Sequence, residues 1–339
     1  MPGQSPADTA DTGRANEPEF VDRAAFAGAF EIVRGVVLEE DDRAVTVLPM
    51  VSSGGPGRLL LAEPQEGQVN VYGTDGRLQR VIGRRGEGPG EFTVPIASRR
   101  TLDGGVVVAD MVLSRLTFFP AGGAGEPEVV ASPLPLVLGA EDMGEGRYLL
   151  FGQLMSETQS HLLHLWNRGN DEIEHSFLPM EVPEESRAYA ASYTSVATAL
   201  EGDTIWAVWA LSDTLYKFSR RGERLKVIPL SLPRPMGVLP GADAGAITDP
   251  RAIQAAADAL TQVNGIFILG DGNLAVQSMR SRGFESVWDL TVVDRQGAPV
   301  WKAAGMPRLF AVEGDLLYFD DPASVLPNHW IVARWKEER

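Results

Sequence analysis

Side chains that commonly perform enzyme chemistry are scarce in this sequence. The chain has no cysteine, so thiolate nucleophiles, disulfides and cysteine-ligated zinc or iron–sulfur centres are excluded. Two of the four histidines, His161 and His164, are three residues apart on an expected strand, which directs their side chains to opposite faces. With His175 and His329 they give no convergent zinc triad, and no G-x-S-x-G nucleophile elbow occurs. Neither a zinc enzyme nor a serine hydrolase is therefore predicted.

Arginine and tyrosine side chains in the connections between strands are the main candidates for binding a ligand. Arg84 and Arg85 lie in a glycine-rich loop and could bind an anion such as a carboxylate. The alternative is a structural crossover in which Glu87 and Glu91 neutralise the two arginines. Long connections carry function more often than strands do, and they contribute Arg187, Tyr189, Tyr193, Arg280 and Arg282. We predict a pocket on one face of the fold, partly roofed by a helix, against the alternative of ordinary solvated loops.

These side chains must be positioned by a repeated unit of short strands. In each copy two apolar strands joined by a polar turn precede a glycine-containing turn and a third strand, and a further strand is available upstream. The turn glycines are separated by 47, 46, 53 and 75 residues, at Gly76, Gly123, Gly169, Gly222 and Gly297. Four-stranded propeller blades repeat about every 40–50 residues. The sequence predicts an all-β fold, a six-bladed β-propeller with four-stranded blades, in preference to two stacked sheets.

The same pattern predicts how the ring closes and where it is interrupted. The strand Phe30–Leu38 stands before the first repeat, whereas the last repeat, Asp315–Lys336, lacks an outer strand. Pairing the two would close the ring and remove an open sheet edge. The Asp75-Gly76 pair is typical of a type I′ hairpin turn, in which both central residues have positive φ. Residues 249–262 begin with Asp-Pro and continue rich in alanine, which favours one inserted helix.

The amino-terminal residues and the overall charge bear on location and partners. Residues 1–29 are predicted to form a flexible tether, because the first 18 contain almost no bulky apolar side chain, and residues 30–339 a single propeller domain. Exported proteins and lipoproteins carry such tethers, but a plain disordered tail has the same composition. The net charge of −16 disfavours nucleic acid and anionic membranes, and no apolar run could span a bilayer. We expect a periplasmic or extracellular protein whose precursor could carry a lipid tether.

One region resembles a known family. Residues 80–92, RVIGRRGEGPGEF, are followed by VVVADMVLSRLTFF over residues 106–119. The combination resembles the bacterial six-bladed NHL-like propellers (the NHL-repeat and TolB-like group), and covers about two of the six expected blades. The resemblance is carried by Ile82, Gly83, Arg84, Gly86, Glu87, Gly88, Pro89, Gly90, Glu91, Phe92, Asp110, Arg115 and Phe118.

The resemblance implies a fold but no single activity, since such propellers include binding scaffolds, lyases and calcium-dependent lactonases. The lactonase-like members hold calcium in the central channel with Glu, Asn and Asp side chains. Asn264 is the residue best placed for that role here, and Glu141 and Asp315 also lie near predicted inner strands. Asp110 matches an aspartate of the family, and the resemblance implies that its side chain caps the turn into the third strand.

Three functions remain open at this point. The first is a non-enzymatic scaffold propeller that binds a protein or a small ligand over one face and needs no cofactor. The second is a hydrolase or lyase of the lactonase type that works in the central channel with calcium or a carboxylate base. The third is a subunit of a larger assembly. Four tryptophans on predicted strands are expected to pack between blades instead of serving a site: Trp166, Trp206, Trp288 and Trp330.

Overall fold

Six four-stranded antiparallel sheets make up a computed structural model of the chain. They are called blades 1 to 6, and the prediction of a six-bladed propeller with four-stranded blades is confirmed. The structure describes residues 23–40, 50–123, 125–155, 160–180, 194–233, 261–282 and 285–336.

The strands of blades 1 to 3 follow one another in chain order. Blade 1 consists of β2 (Met50–Ser53), β3 (Arg58–Glu63), β4 (Gln68–Gly73) and β5 (Leu78–Ile82). Blade 2 consists of β8 (Pro95–Arg100), β9 (Val106–Asp110), β10 (Arg115–Phe119) and β11 (Glu128–Ala131). Blade 3 consists of β12 (Val137–Gly144), β13 (Arg147–Met155), β14 (Ser160–Asn167) and β15 (Glu172–Pro179).

Blades 4 and 5 repeat this order, and blade 6 borrows its outer strand from the start of the chain. Blade 4 consists of β16 (Val196–Glu201), β17 (Thr204–Trp209), β18 (Thr214–Ser219) and β19 (Arg224–Pro229). Blade 5 consists of β20 (Thr261–Ile268), β21 (Leu274–Arg282), β22 (Glu285–Val293) and β23 (Pro299–Met306). Blade 6 consists of β24 (Leu309–Glu313), β25 (Leu316–Asp320), β26 (His329–Trp335) and β1 (Phe30–Val37).

The remaining elements are short. A helix, α1 (Arg23–Ala29), precedes β1, and two-residue strands, β6 (Arg84–Arg85) and β7 (Glu91–Phe92), pair in parallel between blades 1 and 2. A 3-10 turn spans Ala121–Gly123.

The first strand of each blade is its inner strand, and neighbouring inner strands such as β2 and β8, or β2 and β24, pack side by side. Because the strands within a blade alternate in direction, all inner strands begin at one face of the ring. This entry face carries the connections between blades and the turns between second and third strands. The opposite face carries the other turns.

Burial of apolar side chains joins the blades in a closed ring. The buried residues form six clusters, and each cluster lies between two neighbouring blades, including the last and the first. Trp166, Trp206 and Trp330 are almost wholly buried in these layers, as predicted, whereas Trp288 is partly exposed. Such packing between sheets accounts for most of the apolar burial, which is the main favourable contribution to folding.

The predicted ring closure is confirmed. Strand β1 pairs antiparallel with β26, from Phe30 opposite Trp335 to Val37 opposite His329. Phe30 is 2% exposed and packs among aromatic side chains from α1 and from the last two blades. The two ends of the described chain therefore share one sheet.

Two local predictions need correction, and one lies largely outside the described residues. Residues 23–29 of the predicted tether form α1, with Phe26 and Ala29 buried; residues 1–22 lie outside the described residues. The Asp75-Gly76 hairpin exists, but only Gly76 has a positive φ, 87°, so the turn is not type I′. Gly76 is instead the last residue of a four-residue turn, where its N–H donates to the Gly73 carbonyl at 2.9 Å, and the Gly73 N–H donates to the Arg77 carbonyl at 2.9 Å. Thr261 and Gln262 begin β20, and the rest of the predicted helix is not described.

Candidate functional site

The entry face carries most of the exposed apolar side chains that lie outside the outer strands. Met50 begins β2, Val112 lies in a turn of blade 2, and Val325 and Leu326 lie between β25 and β26. Their exposed fractions range from 45% to 98%. On the opposite face only Leu102 is comparable among the residues that the structure describes. Exposed apolar groups gathered on one face are typical of a binding surface.

The connection 321–328, called the blade 6 loop, is held firmly at its base. The indole N–H of Trp330 donates to a carbonyl of the loop at 3.0 Å. The Leu38 N–H donates to the Asn328 carbonyl at 2.8 Å, and the Asn328 side chain donates back to the Leu38 carbonyl at 3.2 Å. Val325 at the tip is nevertheless 98% exposed. The fold thus presents an apolar tip to solvent from a fixed base.

Beside this loop base, four planar side chains pack in a row. The guanidinium carbon of Arg308 lies 4.9 Å from the ring centroid of Trp288 and 4.9 Å from that of Phe310. Phe310 in turn stacks on Trp330, with centroids 4.6 Å apart and planes inclined by 24°. The row joins blade 5 to blade 6 and ends at the residue that anchors the blade 6 loop.

Backbone hydrogen bonds fix Arg308 at the entry face. The side chain of Gln277, on blade 5, accepts from the Leu309 N–H at 2.6 Å and donates to the Leu309 carbonyl at 3.1 Å. The Asp320 N–H donates to the Arg308 carbonyl at 2.9 Å. The backbone at Arg308, which directly precedes the inner strand β24, is therefore held by hydrogen bonds from both blades.

The charge of Arg308 is poorly compensated. Its Nη1 is buried and has no hydrogen-bond partner in the described part of the chain. Burial lowers the pKa of Arg308 to about 10, and the nearby Asp320 opposes that shift. Burial likewise raises the pKa of Asp320, against the attraction of Arg308. The guanidinium still carries its charge at neutral pH, in surroundings that leave one donor without an acceptor.

The glycine-rich loop places its two arginines in contacts with the protein itself. Arg84 forms an ion pair with Glu91 at 2.7 Å, and Arg85 donates to the Gln65 carbonyl. The Gly88 N–H, which bonds to Glu91 at 2.9 Å, and Arg84 lower the pKa of that carboxyl. This geometry matches the structural crossover for Arg84 and Glu91, whereas Arg85 donates to a carbonyl and not to Glu87. Ligand binding by Arg84 and Arg85 remains a prediction.

The other predicted ligand-binding residues are only partly described. Arg280 lies on β21 opposite Thr261 and Val287, and its Nε has no hydrogen-bond partner among the described residues. Arg282 ends β21, and its side chain lies outside the described residues, as do Arg187, Tyr189 and Tyr193. Whether these groups share a pocket remains a prediction.

The candidate calcium ligand Asn264 lies on an inner strand. It is the extra residue of a β-bulge between Val263 and Gly265 in β20, and its side chain is exposed. The corresponding bulges of blades 2 and 3 hold Ile96 and Leu138, so only blade 5 of these three has a polar residue there. Bulges commonly redirect a side chain. Asn264 is therefore available to a ligand.

The two carboxylates considered with Asn264 already have cationic partners. Glu141 pairs with Arg99 at 3.2 Å, and burial raises the pKa of Glu141 in spite of that partner. Asp315 lies in the turn after β24 and pairs with Arg334 at 2.6 Å. Within the described ranges, no group of three or more His, Asp or Glu side chains could hold a metal ion. Calcium binding stays a prediction.

His164 is expected to make the stability of the fold depend on pH. The ring is wholly buried, its Nδ1 lies 2.8 Å from the Ser176 hydroxyl, and burial lowers its pKa to about 4. In the unfolded chain the pKa is about 6.5, so the unfolded state takes up a proton first as the pH falls. We expect up to about 3 kcal/mol of stability, present above about pH 6.5, to be lost by pH 4.

Urea unfolding between about pH 7 and pH 4 checks this expectation. His164→Gln should remove the histidine part of the pH dependence, whatever its effect on stability at pH 7. His175→Gln is the matched control, because His175 is exposed on the neighbouring strand, and it should keep the wild-type dependence. Equal pH dependence in all three proteins would contradict the prediction.

Sequence reasoning missed Arg308 as a site residue. Its ring partners lie on β22 and β24, and the local sequence MPRLF contains no recognisable motif. The available signal was Trp288, which was expected to be buried between blades and is instead partly exposed at this place.

Comparison with known proteins identifies the fold. No protein-family model matches the sequence, and no curated protein is significantly similar to it. Among solved structures, a DUF4221 family member from Bacteroides vulgatus superposes with a TM-score of 0.66 at 9% identity, covering 91% of this chain and 97% of that one. A Bacteroides fragilis protein named as a presumed exported protein gives 0.63 at 11% identity, covering 91% and 96%. Similarity at this level of identity establishes the propeller fold alone.

In the described residues, no helix has both the length and the apolar character needed to cross a bilayer.

Proposed function

We propose that this protein is a non-enzymatic propeller that binds a protein or a small ligand at its entry face. The observation that carries the proposal is the blade 6 loop, whose apolar tip is fully exposed although its base is held by several hydrogen bonds. Keeping Val325 and Leu326 in water is unfavourable unless a partner covers them. The partly exposed side chains of Trp288 and Arg308 supply an apolar and a polar group beside the same loop.

We also propose that the protein is an exported member of the NHL-like propellers. The glycine-rich loop supports the family assignment, because Gly83, Gly86 and Gly90 all have positive φ and Phe92 is buried beneath them. Structural similarity to a presumed exported protein and the polar composition of the first 18 residues favour export. A periplasmic or extracellular location would suit a protein that displays a binding face.

Binding through the blade 6 loop is tested with charged substitutions on the two faces. We expect Val325→Asp combined with Leu326→Asp to abolish binding of partners that the wild type retains from the native envelope fraction. Leu102→Asp is the matched control, since Leu102 is 64% exposed on the opposite face. The measurement is quantitative recovery on the three immobilised proteins, each checked for an unchanged melting temperature. Recovery that is equal for all three, or absent from all, would contradict the binding of a protein through this loop.

A second candidate is a hydrolase or lyase of the lactonase type that works in the channel with calcium. One observation favours it, the exposed Asn264 at the bulge of an inner strand. Oxygen ligands such as amides and carboxylates suit calcium. Stoichiometric calcium in the purified protein, with a melting temperature lowered by EDTA, would place this candidate ahead of the scaffold.

A further inference from the structure

Arg308 is a partly buried arginine that packs on aromatic rings and makes no ion pair with any described residue, although the field of Asp320 acts on it. We propose that Arg308 is the receptor for a carboxylate group of the ligand bound at the entry face. The inference rests on the proposed function, because it names the chemical group that the binding face recognises.

A comparison with Arg168 shows what is missing at Arg308. The guanidinium of Arg168 lies 4.0 Å from the ring centroid of Phe118 and also pairs with the carboxylate of Glu128. Arg308 packs on two rings and its Nη1 is buried, yet it makes no ion pair with any described residue. The environment of Arg308 thus resembles that of Arg168 with the carboxylate removed.

The shape of the guanidinium specifies the missing group. Its N–H donors lie in one plane. When aromatic rings cover the faces of the guanidinium, a hydrogen-bond acceptor can still approach these donors in that plane. A planar carboxylate accepts two such bonds side by side. Buried donors are nearly always satisfied. Four described arginines have a buried guanidinium nitrogen without a hydrogen-bond partner, and in Arg308 alone of these four it is a terminal nitrogen, Nη1, and not Nε.

The surrounding charge favours a single negative charge on the ligand. Asp320 is the acid whose field acts on Arg308, and the whole chain carries a net charge of −16. A doubly charged phosphate would meet repulsion that one arginine cannot offset. A monoanionic carboxylate would meet less of this repulsion and would give Arg308 the close partner that Glu128 gives to Arg168.

The carboxylate could come from a free organic acid or from the end of a peptide. The full chain is titrated at constant ionic strength with acetate, acetamide, inorganic phosphate, and one short peptide with a free or an amidated carboxyl terminus. The indole N–H signals in NMR spectra report binding, because Trp288 lies against Arg308. We expect acetate to bind and acetamide and phosphate to bind at least about tenfold more weakly. Tighter binding of the free than of the amidated peptide would identify a peptide terminus, and binding of acetate alone a small acid.

Variants separate recognition from folding. We expect Arg308→Gln to weaken acetate binding at least about tenfold, and Arg308→Lys to weaken it while keeping the charge, because an ammonium lacks the planar pair of donors. Arg168→Gln is the matched control and should bind acetate as the wild type does. Melting curves show whether each variant is folded. If Arg308→Gln does not fold, Arg308→Lys still tests the assignment.

Equal binding of acetate and acetamide, or unchanged binding by folded Arg308 variants, would overturn the assignment. That failure can be distinguished from failure of the proposed function. If partners still depend on Val325 and Leu326 but not on Arg308, the binding face stands and only the carboxylate receptor is lost. If neither the loop nor Arg308 affects any binding, both are lost.

Discussion

Replacing Phe30 by alanine is expected to lower the free energy of unfolding by about 4 kcal/mol. The ring of Phe30 is 2% exposed and has four aromatic neighbours, with centroid distances from 4.9 to 5.6 Å: Phe26, Phe319, Trp301 and Trp335. These neighbours come from α1 and from blades 5 and 6, so the cavity would open where the two ends of the described chain meet. Loss of aromatic contacts adds to the cost of the cavity itself.

The effect of Phe30→Ala is measured by urea or thermal unfolding beside a control from the same strand. Ile32 is 57% exposed on β1, and Ile32→Ala should change stability by no more than about 0.5 kcal/mol. Both variants leave the backbone pairing of β1 with β26 intact. If Phe30→Ala cost no more than Ile32→Ala, ring closure would depend on the strand hydrogen bonds and not on the buried aromatic cluster.

The sequence contained enough information to predict this closure but not the helix before it. One apolar strand before the first repeat had no assigned partner, and the last repeat lacked its outer strand. Their pairing was predicted because an open sheet edge is unfavourable. Residues 23–29 are rich in alanine, yet a helix of seven residues is unstable alone. The burial of Phe26 against Phe30 and Phe319 stabilises it, and no local pattern reveals that contact.

The candidate site was harder to predict than the fold for a related reason. Periodicity locates strands, but the ring partners of Arg308 come from two different strands. The sequence showed that arginines lie in connections, and it could not show which of them lack an acid. The Arg84–Glu91 pair was one of the alternatives, because both residues lie in the same loop, whereas the Arg168–Glu128 pair joins two blades and could not be foreseen.

Asp110→Ala is expected to destabilise the protein by about 4 kcal/mol, because four backbone N–H groups lose the buried carboxylate that accepts their hydrogen bonds. The carboxylate is wholly buried and accepts from the Thr93 N–H at 2.7 Å, the Val94 N–H at 3.3 Å, and the Val112 and Leu113 N–H groups at 3.1 Å. The resemblance implied a cap on the turn after β9. The structure shows that the same side chain also secures the end of the glycine-rich loop.

Arg115, another residue that carries the resemblance, holds the same loop from its other side. Its guanidinium donates to the carbonyls of Glu87 at 2.7 Å, Gly88 at 3.0 Å and Glu91 at 2.6 Å. The matched residues Asp110 and Arg115 therefore build a junction between blades 1 and 2. Their roles here are structural, which explains why the motif predicts the fold so much better than the function.

Unfolding in urea tests Asp110→Ala against Asp75→Ala, whose carboxylate is exposed and accepts from a single backbone N–H, that of Arg77 at 3.1 Å. The control should lose no more than about 1 kcal/mol. Folded Asp110→Ala should also keep the acetate binding of the wild type, since Asp110 lies on blade 2 and Arg308 directly precedes blade 6. A loss of stability below about 1 kcal/mol would show that water replaces the carboxylate. Loss of acetate binding in the folded variant would instead couple the glycine-rich loop to the site, and the separation between fold motif and binding face would fail.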